Sequence, residues 1–127
     1  MAETTRKGVW DLQQVRDQIL DNVWEQQFEL YTWGINSGGQ LGQNNRTRFS
    51  SPVQIPGTSW SSTRSNKGTG FSLATKTDGT LWAWGAGGQG QLGQNDVTYR
   101  SSPVQIPGTS WSSISGGGNH SLAIILQ

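Results

Sequence analysis

The sequence predicts an all-β fold of two tandem units, with about four short antiparallel strands each, behind a short N-terminal helical head; three observations predict it. Ser50 to Ser62 reads SSPVQIPGTSWSS, and Ser101 to Ser113 repeats those thirteen residues at an offset of 51. That offset also carries Leu30, Tyr31, Thr32, Trp33 and Gly34 onto Leu81, Trp82, Ala83, Trp84 and Gly85, and Gln40, Leu41 and Gly42 onto Gln91, Leu92 and Gly93. A period of about 50 residues built from short strands signals a propeller or solenoid, whose units cannot bury their apolar faces alone. The second observation is compositional: 18 glycines and 7 tryptophans, with 31% hydrophobic and 13% charged residues, favour turns and aromatic-bearing strands over long helices. The third is Asp78-Gly79, a tight-turn dipeptide between two strand patterns. Regularly spaced tryptophans exclude disorder from residue 28 onward.

Residues 1–27 form the head. Asp11 can cap a helix, with Gln14 completing a capping box, and Leu12, Val15, Ile19 and Val23 follow at spacings of three and four. Trp10 and Trp24 bracket this stripe, so these six apolar residues are the expected docking surface. Packing within the same protein is the first expectation, and another subunit or a larger assembly the second. The two units then run over about 28–80 and 81–127. Glu29 to Trp33 reads as a strand, and Ile35 to Phe49 as a long polar loop. Val53 to Ile55 is a short strand between Pro52 and Pro56, and Thr58 to Thr63 alternates around Trp60. Phe71 to Thr77 and Thr80 to Trp84 form a hairpin across Asp78-Gly79. The second unit repeats this order, with its loop at Ala86 to Arg100, and ends on His120 to Leu126. Ser72, Leu73 and Ala74 return as Ser121, Leu122 and Ala123 at an offset of 49, a two-residue deletion of the kind loops absorb.

Formal net charge is +1, which argues for no nucleic-acid or membrane-surface partner. Residues 1–29 carry three basic against six acidic groups, net −3, and the remainder six basic against Asp78 and Asp96, net +4. The absence of cysteine excludes a disulfide framework and thiolate metal sites. The N-terminus lacks the apolar stretch of a signal peptide, and no run approaches about 18 apolar residues, so neither classical export nor membrane insertion is expected. Without a secretory context, the glycosylation-type triplets at Asn45 and Asn119 carry no meaning.

Four segments carry a family resemblance: LWAWG at Leu81 to Gly85, GQLGQN at Gly90 to Asn95, SSPVQIPG at Ser101 to Gly108 and SGGGNHSLAI at Ser115 to Ile124. They resemble the repeats of the regulator of chromosome condensation, over roughly residues 28–124. The resemblance implies two propeller blades. The first copy departs from the pattern at Thr63 to Phe71, where TRSNKGTGF replaces a glycine-rich turn ending in His-Ser. The head, with Lys7 to Leu12 leading into Val15 to Gln18, resembles short leaders on bacteriophage tail and virion proteins, which implies a particle setting.

Catalytic chemistry finds little support, and no cofactor or metal is expected. His120 is the lone histidine and falls in the Asn-His-Ser signature that the resemblance makes structural. Gly88, Gly90 and Gly93 spell a dinucleotide fingerprint, but no helix pattern follows, so they read as a turn. Asp78 and Asp96 lack acidic neighbours for acid–base or calcium chemistry and read as turn residues. Trp60, Trp84 and Trp111 recur by register; burial between blades is expected over sugar stacking. The expected partner-binding surface is the pair of long loops with Arg46, Arg48, Tyr99 and Arg100.

Propellers rarely close with fewer than about four blades, so two units must borrow neighbours. The opening strand at Glu29 lacks its hairpin partner and the closing strand at His120 lacks its following one, which predicts pairing between copies; three copies would give about six blades. The alternative is a piece of a longer seven-bladed protein. The leading functional expectation is a non-enzymatic virion component, whose partners are its own copies, other virion proteins, and a host surface protein or glycan. The alternatives are a cellular protein-interaction regulator of the same family, located in the cytoplasm, and a glycan-binding lectin.

Overall fold

A computed structural model describes residues 27–66 and 69–127. The helical stripe and the docking residues Trp10, Leu12, Val15, Ile19, Val23 and Trp24 lie outside the described residues. Within them, all regular structure is strand: β1 (Leu30–Gly34), β2 (Phe49–Ile55), β3 (Trp60–Ser65), β4 (Phe71–Lys76), β5 (Leu81–Gly85), β6 (Arg100–Ile106), β7 (Trp111–Gly116) and β8 (Ser121–Ile125). All pairings of these strands are antiparallel, so the all-β expectation of four strands per repeat holds.

The sheets do not follow the repeat boundaries. β3-β4-β5-β6 is one complete four-stranded sheet, flanked by the two-stranded sheets β1-β2 and β7-β8. Each repeat spans the last half of one blade and the first half of the next. The units drawn at 28–80 and 81–127 thus describe the sequence period, and their junction falls inside the β4–β5 hairpin. Hydrogen bonding crosses that junction because the tight turn makes β4 and β5 obligatory neighbours.

That turn differs in detail from the two-residue expectation. β4 stops at Lys76, whose N–H donates to Thr80 O at 2.9 Å, leaving a connection in which only Gly79 has positive φ, +84°. Asp78 works instead through its carboxylate, which accepts from Thr80 N at 3.0 Å and Thr80 Oγ1 at 2.6 Å. A Cβ at position 79 would sit 2.1 Å from Thr109 O, so glycine is required sterically as well as conformationally.

Pro52 and Pro103 lie inside β2 and β6, not at strand ends as expected for Pro52. Both strands are the outermost of their sheets, where a missing N–H disrupts no ladder on the solvent side. Each also faces a bulge, between Thr32 and Gly34 on β1 and between Ala83 and Gly85 on β5.

The complete blade is buried on both faces. On one side Ile55, Trp60, Ala74 and Trp84 cluster, with Leu30 and Trp82 packed against them. On the other, Phe71, Leu73, Leu81, Ala83, Leu92 and Ile114 cluster, joined by Ile106 and Trp111. This explains why Leu73, Ala74 and Thr75 are buried consecutively along β4 instead of alternating.

Candidate functional site: the loop face

The loops between β1 and β2 and between β5 and β6 are built by the same rules. Each is pinned by a glutamine that folds back on its own turn: Gly38 N–H donates to Gln40 Oε1 and Gln89 N–H to Gln91 Oε1, both at 2.8 Å. A second glutamine ties each loop to the following strand, Gln43 Nε2 donating to Gln54 O and Gln94 Nε2 to Gln105 O, both at 3.0 Å. Asn44 and Asn95 take the left-handed conformation at φ +60° and +61°, which asparagine tolerates better than most residues. Leu41 and Leu92, inside these nominally polar loops, are buried core residues.

Trp84 lies at the β5 bulge, and its Nε1–H donates to Gln40 O at 2.8 Å. Asn44 N–H donates to Ser101 O at 2.7 Å, anchoring the first loop to β6. These contacts bring two of the four sequence-predicted residues together. The Arg46 guanidinium lies over the Tyr99 ring, 5.2 Å from its centroid, across a gap of one repeat. Arg100 opens β6 and pairs with Asp96, Nη2 to Oδ2 at 2.8 Å. Arg48 is exposed on the same loop as Arg46.

One of the differences between the loops falls at a buried position. Asn36 is buried in the first loop, accepting from Leu41 N at 3.0 Å and donating through Nδ2 to Thr47 O at 2.9 Å and Asn45 O at 3.0 Å. Its counterpart Gly87 instead lets Thr98 O approach to where a Cβ would stand, 2.2 Å away. Asn45 and Asp96 then play one role, each accepting from the amide two residues on, Thr47 N or Thr98 N, at 3.0 Å. The Thr98 amide bond, and next the Arg100 charge, hold the Asp96 carboxyl below its usual range.

Trp60 and Trp84 are buried, as expected of inward tryptophans, but Trp111 is only half-buried, because among the described residues no third strand joins its sheet. Lys76 was not foreseen as part of any site. Its ammonium sits 4.8 Å from the Trp60 centroid and 4.4 Å from that of Trp82, in a cleft shared with Gly42, Gln43 and Asn44. The signal was available in retrospect, since Lys76 and Trp82 straddle the Asp-Gly turn. The His120 ring is exposed and lies against Gly117; the hydrogen bond at this position is from Gly117 N–H to His120 O, 2.8 Å. Among the described residues no group of three His, Cys, Asp or Glu could hold a metal ion, and no helix is long and apolar enough to cross a membrane.

The profile of the regulator of chromosome condensation (RCC1) repeat matches residues 29–73 and 78–124. A mitochondrial RCC1 domain-containing protein, RUG3 of Arabidopsis thaliana, is 31% identical over 102 residues, covering 76% of this chain and 22% of RUG3. The E3 ubiquitin-protein ligase HERC2 of Homo sapiens is 29% identical over 87 residues, covering 63% of this chain and 2% of HERC2. The crystal structure of human WBSCR16 aligns with a TM-score of 0.65 at 21% identity, covering 79% of this chain and 27% of that one. The chain thus spans less than a third of the length of each of these proteins.

Proposed function

We propose, from the premise that this chain belongs to the RCC1 repeat family, that it is a non-enzymatic protein-interaction module whose recognition surface is the face made by residues 35–48 and 86–99. The observation that carries this reading is the stacking of Arg46 on Tyr99, which joins the equivalent loops of successive repeats into one surface. Around that pair lie exposed Arg48 and Val97 and the Asp96–Arg100 ion pair, a mixture of cation, aromatic ring and small apolar group suited to a protein partner. The loop amides of Asn36, Gln40, Gln43, Gln91 and Gln94 hold backbone in place, so the face is a rigid display rather than a reaction centre.

This favours the cellular interaction reading over the virion one. Relatives of this chain occur in a plant, mammals and fission yeast, whereas the particle setting rests on the leader resemblance of residues 7–18, outside the described residues. Sugar stacking on Trp60, Trp82 and Trp84 is disfavoured, because Trp60 and Trp84 are buried and Lys76 covers Trp60 and Trp82.

The test is affinity capture with the full chain and with an Arg46→Glu, Tyr99→Ser variant, followed by binding measurements with each purified captured protein. A partner held by the wild type and weakened at least about tenfold by the double change supports the reading, as expected when a central aromatic–arginine anchor is lost. Partners indifferent to the change would remove the loop face from recognition.

A further inference from the structure

Two open sheet edges stand among the described residues, and they are the two halves of a pairing that the chain already makes once internally. β4 pairs with β5, placing Ser72 opposite Trp84, Leu73 opposite Ala83, Ala74 opposite Trp82 and Thr75 opposite Leu81. β8 repeats β4 and β1 repeats β5, yet among the described residues β8 is bonded only to β7 and β1 only to β2. The same side chains change exposure accordingly. Leu73 is 1% exposed and its counterpart Leu122 65%; Trp84 is 1% exposed and its counterpart Trp33 59%. Tyr31 and Ile124 are exposed on the same two edges.

We propose that β8 of one copy pairs antiparallel with β1 of a second copy of this chain, in the register of the internal β4–β5 pair. Ser121 then stands opposite Trp33, Leu122 opposite Thr32, Ala123 opposite Tyr31 and Ile124 opposite Leu30. The two half-sheets join into a complete four-stranded blade.

The seat for Trp33 is already formed. Trp84 lies against Trp60, at 6.0 Å between centroids, and approaches Gly42 so closely that a Cβ there would be 3.0 Å from its Nε1. Its Nε1–H donates to Gln40 O, the carbonyl that also accepts from Ser72 Oγ at 2.9 Å. One period on, Ser121 Oγ donates to Gln91 O at 2.7 Å, and Gln91, Gly93, Ile106, Trp111 and Ser121 line an open cleft. The counterparts of Gln40, Gly42, Ile55, Trp60 and Ser72 are thus all present there.

The opposite end carries the reciprocal cleft, lined by Leu30, Thr32, Leu41 and Thr63. Their counterparts Leu81, Ala83, Leu92 and Ile114 form one cluster with Phe71 and Leu73. The residues that match Phe71 and Leu73 are His120 and Leu122, so these enter the cleft from the second copy. The two clefts are therefore opposite walls of one interface. An unrelated apolar partner could cover exposed leucine and tryptophan, but only a strand with the β1 or β8 pattern reproduces the register. The contact is heterologous, so it propagates until a ring closes, and three copies would close about six blades. The inference is independent of what binds the loop face.

With no cysteine in the chain, disulfide trapping can read the register directly. Full-length protein carrying Thr32→Cys and Leu122→Cys is expected to form covalent multimers on mild oxidation, because paired positions meet disulfide geometry. The shifted pair, Thr32→Cys with Ala123→Cys, should not, since a one-residue slip places the side chains on opposite faces. Light scattering on the wild type should give a discrete multiple of 13.8 kDa, and Trp33→Asp should return it to one copy with an unchanged strand spectrum. A folded wild-type monomer, a multimer that survives Trp33→Asp, or equal trapping of the shifted pair would each overturn the proposal.

Discussion

Trp60 and Trp111 occupy the same thirteen-residue segment in the two repeats, and the segments fold alike. Each indole donates to the carbonyl of the proline four residues before it, at 3.3 Å to Pro56 O and 3.2 Å to Pro107 O. The glycines between take φ +116° and +117°. Yet Trp60 is 3% exposed, while Trp111, like Ile106 beside it, is half-buried. The difference lies in the neighbours. Trp60 meets Trp82 and Trp84 edge-on, both on β5, the third strand of the complete blade, whereas β7-β8 has no third strand among the described residues. Conformation is thus local to the segment, and burial is conferred by the adjoining strand.

The sharpest way to break this comparison is to truncate both tryptophans in a chain kept monomeric by Trp33→Asp. Trp60→Ala should cost about 3–5 kcal/mol, as removal of a fully packed aromatic does, while Trp111→Ala should cost roughly 1 kcal/mol for its partial burial. Urea unfolding of the two variants measures the gap, and equal losses would mean that the adjoining strand is not what protects Trp60. In an assembled wild type the two costs should converge.

Gly42 and Gly93 extend the test to a smaller effect. Both have positive φ, +68° and +66°, so alanine meets the same backbone strain at each. A Cβ on Gly42 would approach Ile55 Cδ1 and Trp84 Nε1 at 3.0 Å, whereas on Gly93 the nearest atom is Ile106 Cδ1 at an ordinary 3.4 Å. Gly42→Ala should therefore be less stable than Gly93→Ala by about 1–3 kcal/mol, the overpacking penalty, as thermal unfolding of the pair would show.

The smallest effect separates Asn45 from Asp96, which cap equivalent turns. The Thr98 amide bond, followed by the Arg100 charge, depresses the Asp96 pKa, so that cap is intact above the ordinary carboxylate range and lost as pH falls through the depressed value. The Thr98 amide resonance should move on acidification while that of Thr47 stays level, and Asp96→Asn should make the two behave alike. Parallel titration of both amides in the wild type would show that the carboxyl is not responsible.

Much of the strand order was legible because it rests on short-range chemistry. The Asp78-Gly79 hairpin announces itself within a few residues, and the repeat and its tryptophans by identity at an offset of 51. The phase of the blades was not legible, since a repeat can be cut at any point without changing its period. Leu41 and Leu92 were hidden among polar residues; their recurrence in both QLG segments was the available signal for a core role. Of the proposed recognition face, Arg46, Arg48, Tyr99 and Arg100 could be nominated from loop composition. That Arg46 stacks on Tyr99 could not, because the two meet only when successive sheets pack.

The sequence by itself determined the local conformations: eight short strands, the glycine and asparagine positions that adopt positive φ, and identical geometry for identical segments. Those outcomes follow from steric limits and hydrogen bonds within a few residues. Only the tertiary structure decided that the middle four strands make one blade, and that one tryptophan of a matched pair is covered while the other stands half open. Pairing and burial depend on atoms about one repeat away, and the same segment meets different neighbours in its two positions.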